Sequence, residues 1–326
     1  MSEEDATGRG RPPEIDPARV RTIPLARRAN KVQAGEFAQP PAGDRSFSAF
    51  IASLPHILEA NSFVAVRDAI VEAARARRAI VCMLGGHVVK TGLNAVLIDL
   101  MERGAITHLA SNGSAVIHDY ELARFGGTSE DVEAGLADGT FGMAEETGRE
   151  MNEAITRGAA RGMGMGEALA EGLACAPSFE NPELSLLLAS RRLGVGFTVH
   201  AALGAEIIHQ HPAADGEAIG QTSLRDFRRL SAYLAGLEDG VVLNLGSAVL
   251  MPEVFLKALT VCRNVNDGVP RRFVAADFDM IRHYRPRVNV VERPTRSGGG
   301  RGYQVTGHHE LMIPMLAWAV ISALEA

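Results

Sequence analysis

Apolar positions along the chain fall into two registers, and the change from one to the other marks the architecture. "SFSAFIASLPHILEA" and "SFVAVRDAIVEAARARRA" carry apolar side chains at i, i+3, i+4 and i+7, the spacing of amphipathic helices. Two helices are therefore predicted ahead of the first strand. Beyond them, short continuous apolar runs alternate with helical stretches. "AIVCMLG" precedes "NAVLIDLMERG", "ITHLASNG" precedes "VIHDYELARFG", "GFTVHAAL" precedes a helix beginning near Thr222, and "VVLNLGSAV" precedes "PEVFLKALTVCRN". Strands that are apolar throughout must be covered on both faces. The prediction is an α/β fold, doubly wound and Rossmann-like, with a mostly parallel sheet and helices on both sides. Ligands of such sheets bind at the carboxyl ends of the strands, here "GGHVVKTG", "SNGSAVIHD", "HAALGAEIIHQH", "GSAV" and "ADFD".

Residues 1–45 mix Pro, Arg, Gly and acids without apolar periodicity, so they are expected to form a flexible N-terminal arm that docks on a neighbouring subunit, with low order at least to Pro13. Residues 46–326 are expected to form a single domain. "RPTRSGGGRGYQ", from Arg293 to Gln304, reads as a mobile glycine-rich loop, and no internal repeat is found.

Composition narrows the partners. A net charge of -6 and a pI near 6.0 offer no basic face to a nucleic acid backbone. No apolar run approaches the ~20 residues of a membrane span, and the N-terminus lacks the apolar region of a signal peptide. Cys82, Cys175 and Cys262 are odd in number and widely spaced, as reduced thiols in a cytoplasmic protein would be.

Candidate chemistry sits at the strand ends. Gly85, Gly86 and Gly92 in "LGGHVVKTG" allow close backbone approach and free helix N–H groups for an anion, although a turn glycine for steric reasons explains them equally well. Lys90 in the same turn is one of three lysines and could hold a phosphate or a substrate carboxylate, or form an imine. The anchoring role is favoured, since nothing beside it in the sequence is placed to move its proton. "SNGSAVIHDYEL" follows a strand with Asn112, Gly113 and Ser114, then His118, Asp119 and Glu121; the plainer alternative has Asp119 capping a helix and His118 packing. "VHAALGAEIIHQHP" supplies His200, Glu206, His209 and His211, whose imidazoles suggest a metal without completing a ligand set at a recognisable offset. "TGHHELMIP" sets His308 and His309 at the mouth of the last helix. Glu145 and Glu146 read as a solvated helix face, and "RGMGMG" and "RLGVGF" as turns.

Taken in order, these motifs resemble the deoxyhypusine synthase family and its NAD-binding fold, from about Ile80 to the C-terminus. "GGHVVKTGLNAVLIDLMERGAITHLASNGSAVIHDYEL" is similar to that family's first βαβ unit, "NPELSLLLASRRLGVGFTVHAALGAEI" to the segment carrying its substrate loop, "VVLNLGSAVLMPEVFLKAL" to its glycine-rich strand and helix, and "YQVTGHHELMIPML" to its closing strand and helix. The resemblance implies a homotetramer with active sites shared between subunits, and NAD as the cofactor that oxidises an amine to an imine. It implies cofactor contacts from Gly86, His87, Thr91 and Gly92, from Asn112, Gly113 and Ser114, and further from Asp277 and from Gly307 with His308. Asp119 falls on the acid of the family's second loop.

The chain departs from the family where the transfer chemistry lies. The family's Trp-Gly-Lys motif has no counterpart in "ERPTRSGGGRGYQV", and the single tryptophan is Trp318. The substrate loop reads His200-Ala-Ala-Leu-Gly-Ala205 without the family's two carboxylates, and Leu250-Met251 replaces a Lys-His pair. A divergent enzyme is expected, one that makes or reduces an imine at the C–N bond of an amine, polyamine or amino acid, with His118, His200 and His308 as proton carriers. Polyamine aminobutyl transfer stays open within that class. From other classes, the alternatives are a metal-dependent hydrolase built on His200, His209 and His211, and a non-catalytic NAD-binding regulator.

Overall fold

A computed structural model describes residues 14–41, 43–296 and 298–326. The expectation of low order up to Pro13 falls on residues 1–13, outside that set. The chain divides into two units, residues 1–37 and 38–326. The described part of the first contains three single turns of 3-10 helix, Pro17–Arg19, Leu25–Arg27 and Ala34–Glu36, and leaves Ile15, Val20, Ile23 and Leu25 exposed.

The second unit opens with α1 (Phe47–Ala52) and α2 (Leu58–Arg75). Ser46 caps α1 by accepting the Ala49 N–H, but Pro55 cannot continue a helix, so "SFSAFIASLPHILEA" breaks there and its tail joins α2. There follow β1 (Ile80–Leu84), α3 (Gly86–Lys90), α4 (Asn94–Glu102), β2 (His108–Asn112) and α5 (Gly113–Phe125). A long crossover then carries α6 (Val132–Asp138), α7 (Glu145–Ala160), α8 (Met165–Ala174) and α9 (Leu186–Leu193) before β3 (Gly196–His200). The chain closes with α10 (Gly216–Tyr233), β4 (Val241–Leu245), α11 (Leu250–Val265), β5 (Val274–Asp279), a π-helical turn at Pro286–Glu292, α12 (Arg293–Arg296), β6 (Arg301–Thr306) and α13 (His309–Leu324).

The six strands form one sheet in the order β3-β2-β1-β4-β5-β6, and every pairing is parallel. This is the Rossmann-like α/β architecture the strand pattern predicts. Alternation along β1 shows why continuous apolar strands are needed. Ile80, Cys82 and Leu84 face a core shared with α2, α4 and α13, while Val81 and Met83 face a second core with α10 and α11. Among the described residues no helix is long and apolar enough to cross a membrane.

Three local expectations change. Among the described residues, the glycine-rich stretch from Arg293 to Gln304 is mostly regular, with α12 on one side, β6 on the other and residues 298–300 outside both. α10 begins at Gly216 rather than near Thr222, because Asp215 accepts the Glu217 and Ala218 N–H groups and starts the helix earlier. Lys90 lies exposed at the end of a five-residue helix instead of in a turn.

Candidate active site at the strand carboxyl ends

The chain leaves β1 toward β2 and β3, then crosses to β4 on the other side, so the strand order reverses between β1 and β4, the point where sheets of this kind bind ligands. Glycines let the two ends touch. Gly85 donates its N–H to the Leu245 carbonyl at 2.9 Å, and a Cβ on Gly85 would lie 2.1 Å from the Gly246 carbonyl oxygen. Gly246 has φ +68°, a left-handed conformation suited to glycine, and a side chain there would meet the His309 ring at 2.8 Å. His309 is buried, with Nε2 3.1 Å from the Phe278 carbonyl oxygen, Nδ1 without a partner, and its ring edge-on to His87 at 5.7 Å. The neighbouring His308 is the exposed N-cap of α13, 3.6 Å from Glu310.

On the β2 side of this junction, a Cβ on Gly86 would lie 2.7 Å from Ser114 Oγ and 3.3 Å from the His118 ring, so these three residues pack together. Burial, then the charges of His309 and Lys90, push the His87 imidazole below its ordinary pKa, against an opposing pull from Glu310 and Asp279. Burial and then Lys90 do the same to His118. The Lys90 ammonium is thus felt by both rings, although the side chain reaches solvent.

His118 has a defined tautomer. Its Nδ1 lies 2.7 Å from Thr128 Oγ1, and the Thr128 hydroxyl donates its only proton to Glu121. The hydroxyl oxygen must therefore accept from His118 Nδ1–H, which leaves Nε2 unprotonated and able to take a proton. Glu121 also accepts from Thr147 Oγ1 at 3.1 Å; burial raises its pKa, the two hydroxyl donors lower it, and Glu130 raises it again. A cleft of about 440 Å³ opens alongside, lined by Glu121, Phe125, Thr128, Glu130, Glu146 and Thr147. Glu130 and Glu146 face this cleft, a role that sequence periodicity alone hides, because any acid on an amphipathic helix reads as solvated.

The other sequence candidates have different surroundings. Asp119 is buried and accepts four hydrogen bonds: Leu186 N–H at 2.6 Å, Leu187 N–H at 3.1 Å, Ser185 Oγ at 2.8 Å and Asn94 Nδ2 at 3.0 Å. It caps α9, a helix far along the chain, and burial pushes its pKa up to about 6 despite those donors. Thr91 Oγ1 donates to the His87 and Val88 carbonyls and so closes α3, while Gly92 turns the chain at φ +82°. Asn112 accepts from Ser114 Oγ at 2.9 Å. Asp277 is buried between Asn244 Nδ2 at 2.8 Å and Gln304 Nε2 at 3.3 Å, and burial raises its pKa to about 6. Gly307 donates to the Asp279 carbonyl, with Met312 packed where its side chain would be.

His200 is buried with Nε2 3.2 Å from Thr198 Oγ1, and burial lowers its pKa to about 4. His209 turns toward Glu206 at 3.4 Å and His211 toward Glu145 at 3.2 Å. The three rings have three separate partners, and no group of three His, Cys, Asp or Glu side chains among the described residues could hold a metal ion. The metal-hydrolase alternative therefore lacks its ligand set. A separate cavity of about 530 Å³ lies beside edge strand β3 toward its amino end, lined by His108, Thr198, Asp226, Arg229 and Tyr233 among others. Asp226 there ties the Gly166 and Val199 N–H groups together and serves the fold.

At the junction of β1 and β4 the missing side chains of Gly85, Gly86 and Gly246 make room for the Gly246 carbonyl, Ser114 and the His309 ring, with Lys90 and the His87 and His118 imidazoles, both lowered in pKa mainly by burial, close by. Comparison with known proteins adds little to this geometry. No family model and no curated protein matches the chain. Among solved structures, similarity extends to a ternary complex of AgrE with ornithine and NAD+, at 15% identity and TM-score 0.48, covering 82% of this chain and 34% of that one. It extends to a conserved candidate LOR/SDH protein from Methanococcus maripaludis, at 14% identity and TM-score 0.47, covering 88% and 74%. A candidate deoxyhypusine synthase from Entamoeba histolytica aligns at 10% identity and TM-score 0.46, covering 86% and 94%. The chain spans about a third of the length of AgrE. At these identities and scores the likenesses carry neither activity nor ligand over to this chain, whose α/β class rests on its own sheet.

Proposed function

We propose that this chain is an NAD-dependent enzyme that forms or reduces an imine at the C–N bond of an amine or amino acid. One observation carries the reading: the junction of β1 and β4, where Gly85, Gly86 and Gly246 bring the strand ends together, adjoins a histidine whose free Nε2 is fixed by the His118–Thr128–Glu121 chain. When bound, NAD would supply the hydride acceptor. The chain's own residues do the rest. The dinucleotide would lie at the strand ends that Gly85, Gly86 and Gly246 join, and Lys90 provides a point charge for a phosphate or a substrate carboxylate. His118 Nε2 accepts the proton that an ammonium gives up before hydride loss turns the free amine into an iminium, and Glu121 holds the imidazolium through Thr128. Glu121, Glu130 and Glu146 give the adjacent cleft the charge that suits a cationic amine. Lys90 serves as an anchor in this scheme, since it is exposed at the end of α3 and nothing beside it in the sequence is placed to move its proton.

A homotetramer with the N-terminal arm on a neighbouring subunit belongs to the same proposal and is read by light scattering. The activity is tested by incubating the protein with NAD and a panel of amines, polyamines and amino acids, following NADH and trapping imines with borohydride. NADH formation with at least one cationic amine, abolished in His118→Ala, supports the reading. NADH binding without turnover across the panel would favour a non-catalytic regulator.

A further inference from the structure

The N-terminus of α5, which follows β2 at the carboxyl edge of the sheet, is where a 13-residue helix would offer its free N–H groups to an anion. The chain fills that place itself. Glu206, from the loop after β3, accepts the Gly113 N–H at 2.7 Å and the Ala202 N–H at 3.0 Å through Oε1. Its side chain is only 2% exposed. Glycine at 113 is what makes room, because a Cβ there would lie 2.2 to 2.7 Å from the carboxylate atoms. The fit is incomplete in a telling way: Glu206 Oε2 is buried with no hydrogen-bond partner, and His209 Nε2, 3.4 Å away, has none either. Because His209 Nδ1 accepts the Gly204 N–H at 3.3 Å, a neutral ring carries its proton on Nε2, facing the carboxylate. The loop between Glu206 and β3 is short and turns at Gly204 with φ +81°, leaving Leu203 exposed above it.

We propose that Glu206 is a tethered anion that keeps the α5 anion site closed, and that a phosphate group of the incoming ligand must displace it. The inference rests on the dinucleotide reading only for the identity of that ligand. A tethered group competes at a high effective concentration, so its charge weakens phosphate binding without touching the chemistry. The second carboxylate oxygen is buried with only the long 3.4 Å contact to His209 in place of a hydrogen bond, so the closed state is weakly held on that side. Displacement frees the Gly113 N–H and the helix dipole for the phosphate and carries residues 201–206 outward.

The test uses the full chain and two probes, inorganic pyrophosphate and NADH, titrated calorimetrically into the native protein and Glu206→Gln. Glutamine keeps the shape and an acceptor for Gly113 but removes the charge. Pyrophosphate is expected to bind the variant at least tenfold more tightly than the native protein. In the native protein, pyrophosphate is also expected to speed hydrogen exchange across residues 201–206, an effect that a merely structural Glu206 would not show. Gly113→Ala, whose methyl group would collide with the carboxylate, should expose the same loop without any ligand. Equal affinities for pyrophosphate within twofold, weaker binding by the variant, or no binding by either would overturn the latch. Should NADH bind both proteins equally, the latch falls and the dinucleotide reading stands. Should pyrophosphate tighten while NADH binds neither, the latch stands and the dinucleotide reading falls.

Discussion

Replacing Asp119 separates a structural carboxylate from a catalytic one. Its two oxygens accept the first N–H groups of α9 at Leu186 and Leu187, the Ser185 hydroxyl and the Asn94 amide, all without solvent. Asp119→Ala removes a helix cap, worth about 1 kcal/mol. It also leaves several buried donors unpaired at about 1 to 3 kcal/mol each. Ser185 Oγ can turn to water or a carbonyl, and Ser185 still caps Leu188, so the terms do not simply add. A loss of about 4 kcal/mol is expected, a large share of the ~5 to 15 kcal/mol that holds a typical domain together. With a urea slope of about 3 kcal/mol per molar, the midpoint should fall by more than about 1 M. Asp119→Asn, which keeps one acceptor oxygen, should lose roughly half as much. Urea unfolding followed by circular dichroism measures the loss, and NADH affinity is compared at a temperature where each variant is folded. The expected result is lower stability with NADH affinity within twofold of the native protein. An alanine variant within about 1 kcal/mol of the native stability that has lost dinucleotide binding or turnover would refute the cap assignment.

Three further outcomes follow from the same geometry. Gly85→Ala sets a methyl group against the fixed Gly246 backbone, so it should cost about 1 to 3 kcal/mol or more by overpacking and weaken NADH at least tenfold. Gly86→Ala, which meets only the movable Ser114 hydroxyl and the His118 ring edge, should do less on both calorimetric readouts. Lys90→Met should raise the His87 and His118 pKa values toward their ordinary range in an NMR titration, since the Lys90 charge lowers both; unmoved resonances would show that the ammonium is not near them. His108 is buried, and burial followed by the His200 charge lowers its pKa to about 3. A histidine whose folded pKa is lowered contributes stability that is present above its unfolded value near 6.5 and lost as pH falls toward the folded value. His108→Gln should therefore close its stability gap to the native protein by about 2 kcal/mol between pH 8 and pH 5 in urea melts, and a constant gap would contradict the burial argument.

The parts of the fold legible in the sequence are those set by local pattern. Ile80–Leu84 and Val241–Leu245 are buried along their whole length, so the chain could satisfy them only in a sheet covered on both faces. Periodicity could not reveal α3, whose five residues give it little more than one turn. Nor could it reveal contacts between distant segments. The partner of Asp119 is the start of α9, and the partner of Gly113 is Glu206, 93 residues away. The two adjacent histidines make the point at closest range. His308 is an N-cap and points to solvent, whereas His309 is the first helical residue and turns inward beneath Gly246. The sequence offers no sign of which is which until the axis of α13 is placed. The His118–Thr128–Glu121 chain was half visible, since His118 and Glu121 lie three apart on a predicted helix, but Thr128 joins them only because the chain turns back after Gly126 at φ +73°.

The central claim is that a dinucleotide enters between the carboxyl ends of β1 and β4. Calorimetric titration of NADH into the native protein and Gly85→Ala tests it most directly. The account predicts saturable binding of one NADH per chain to the native protein and affinity at least tenfold weaker in the variant. No heat of binding to the native protein up to millimolar NADH, or equal affinity in both, would contradict it.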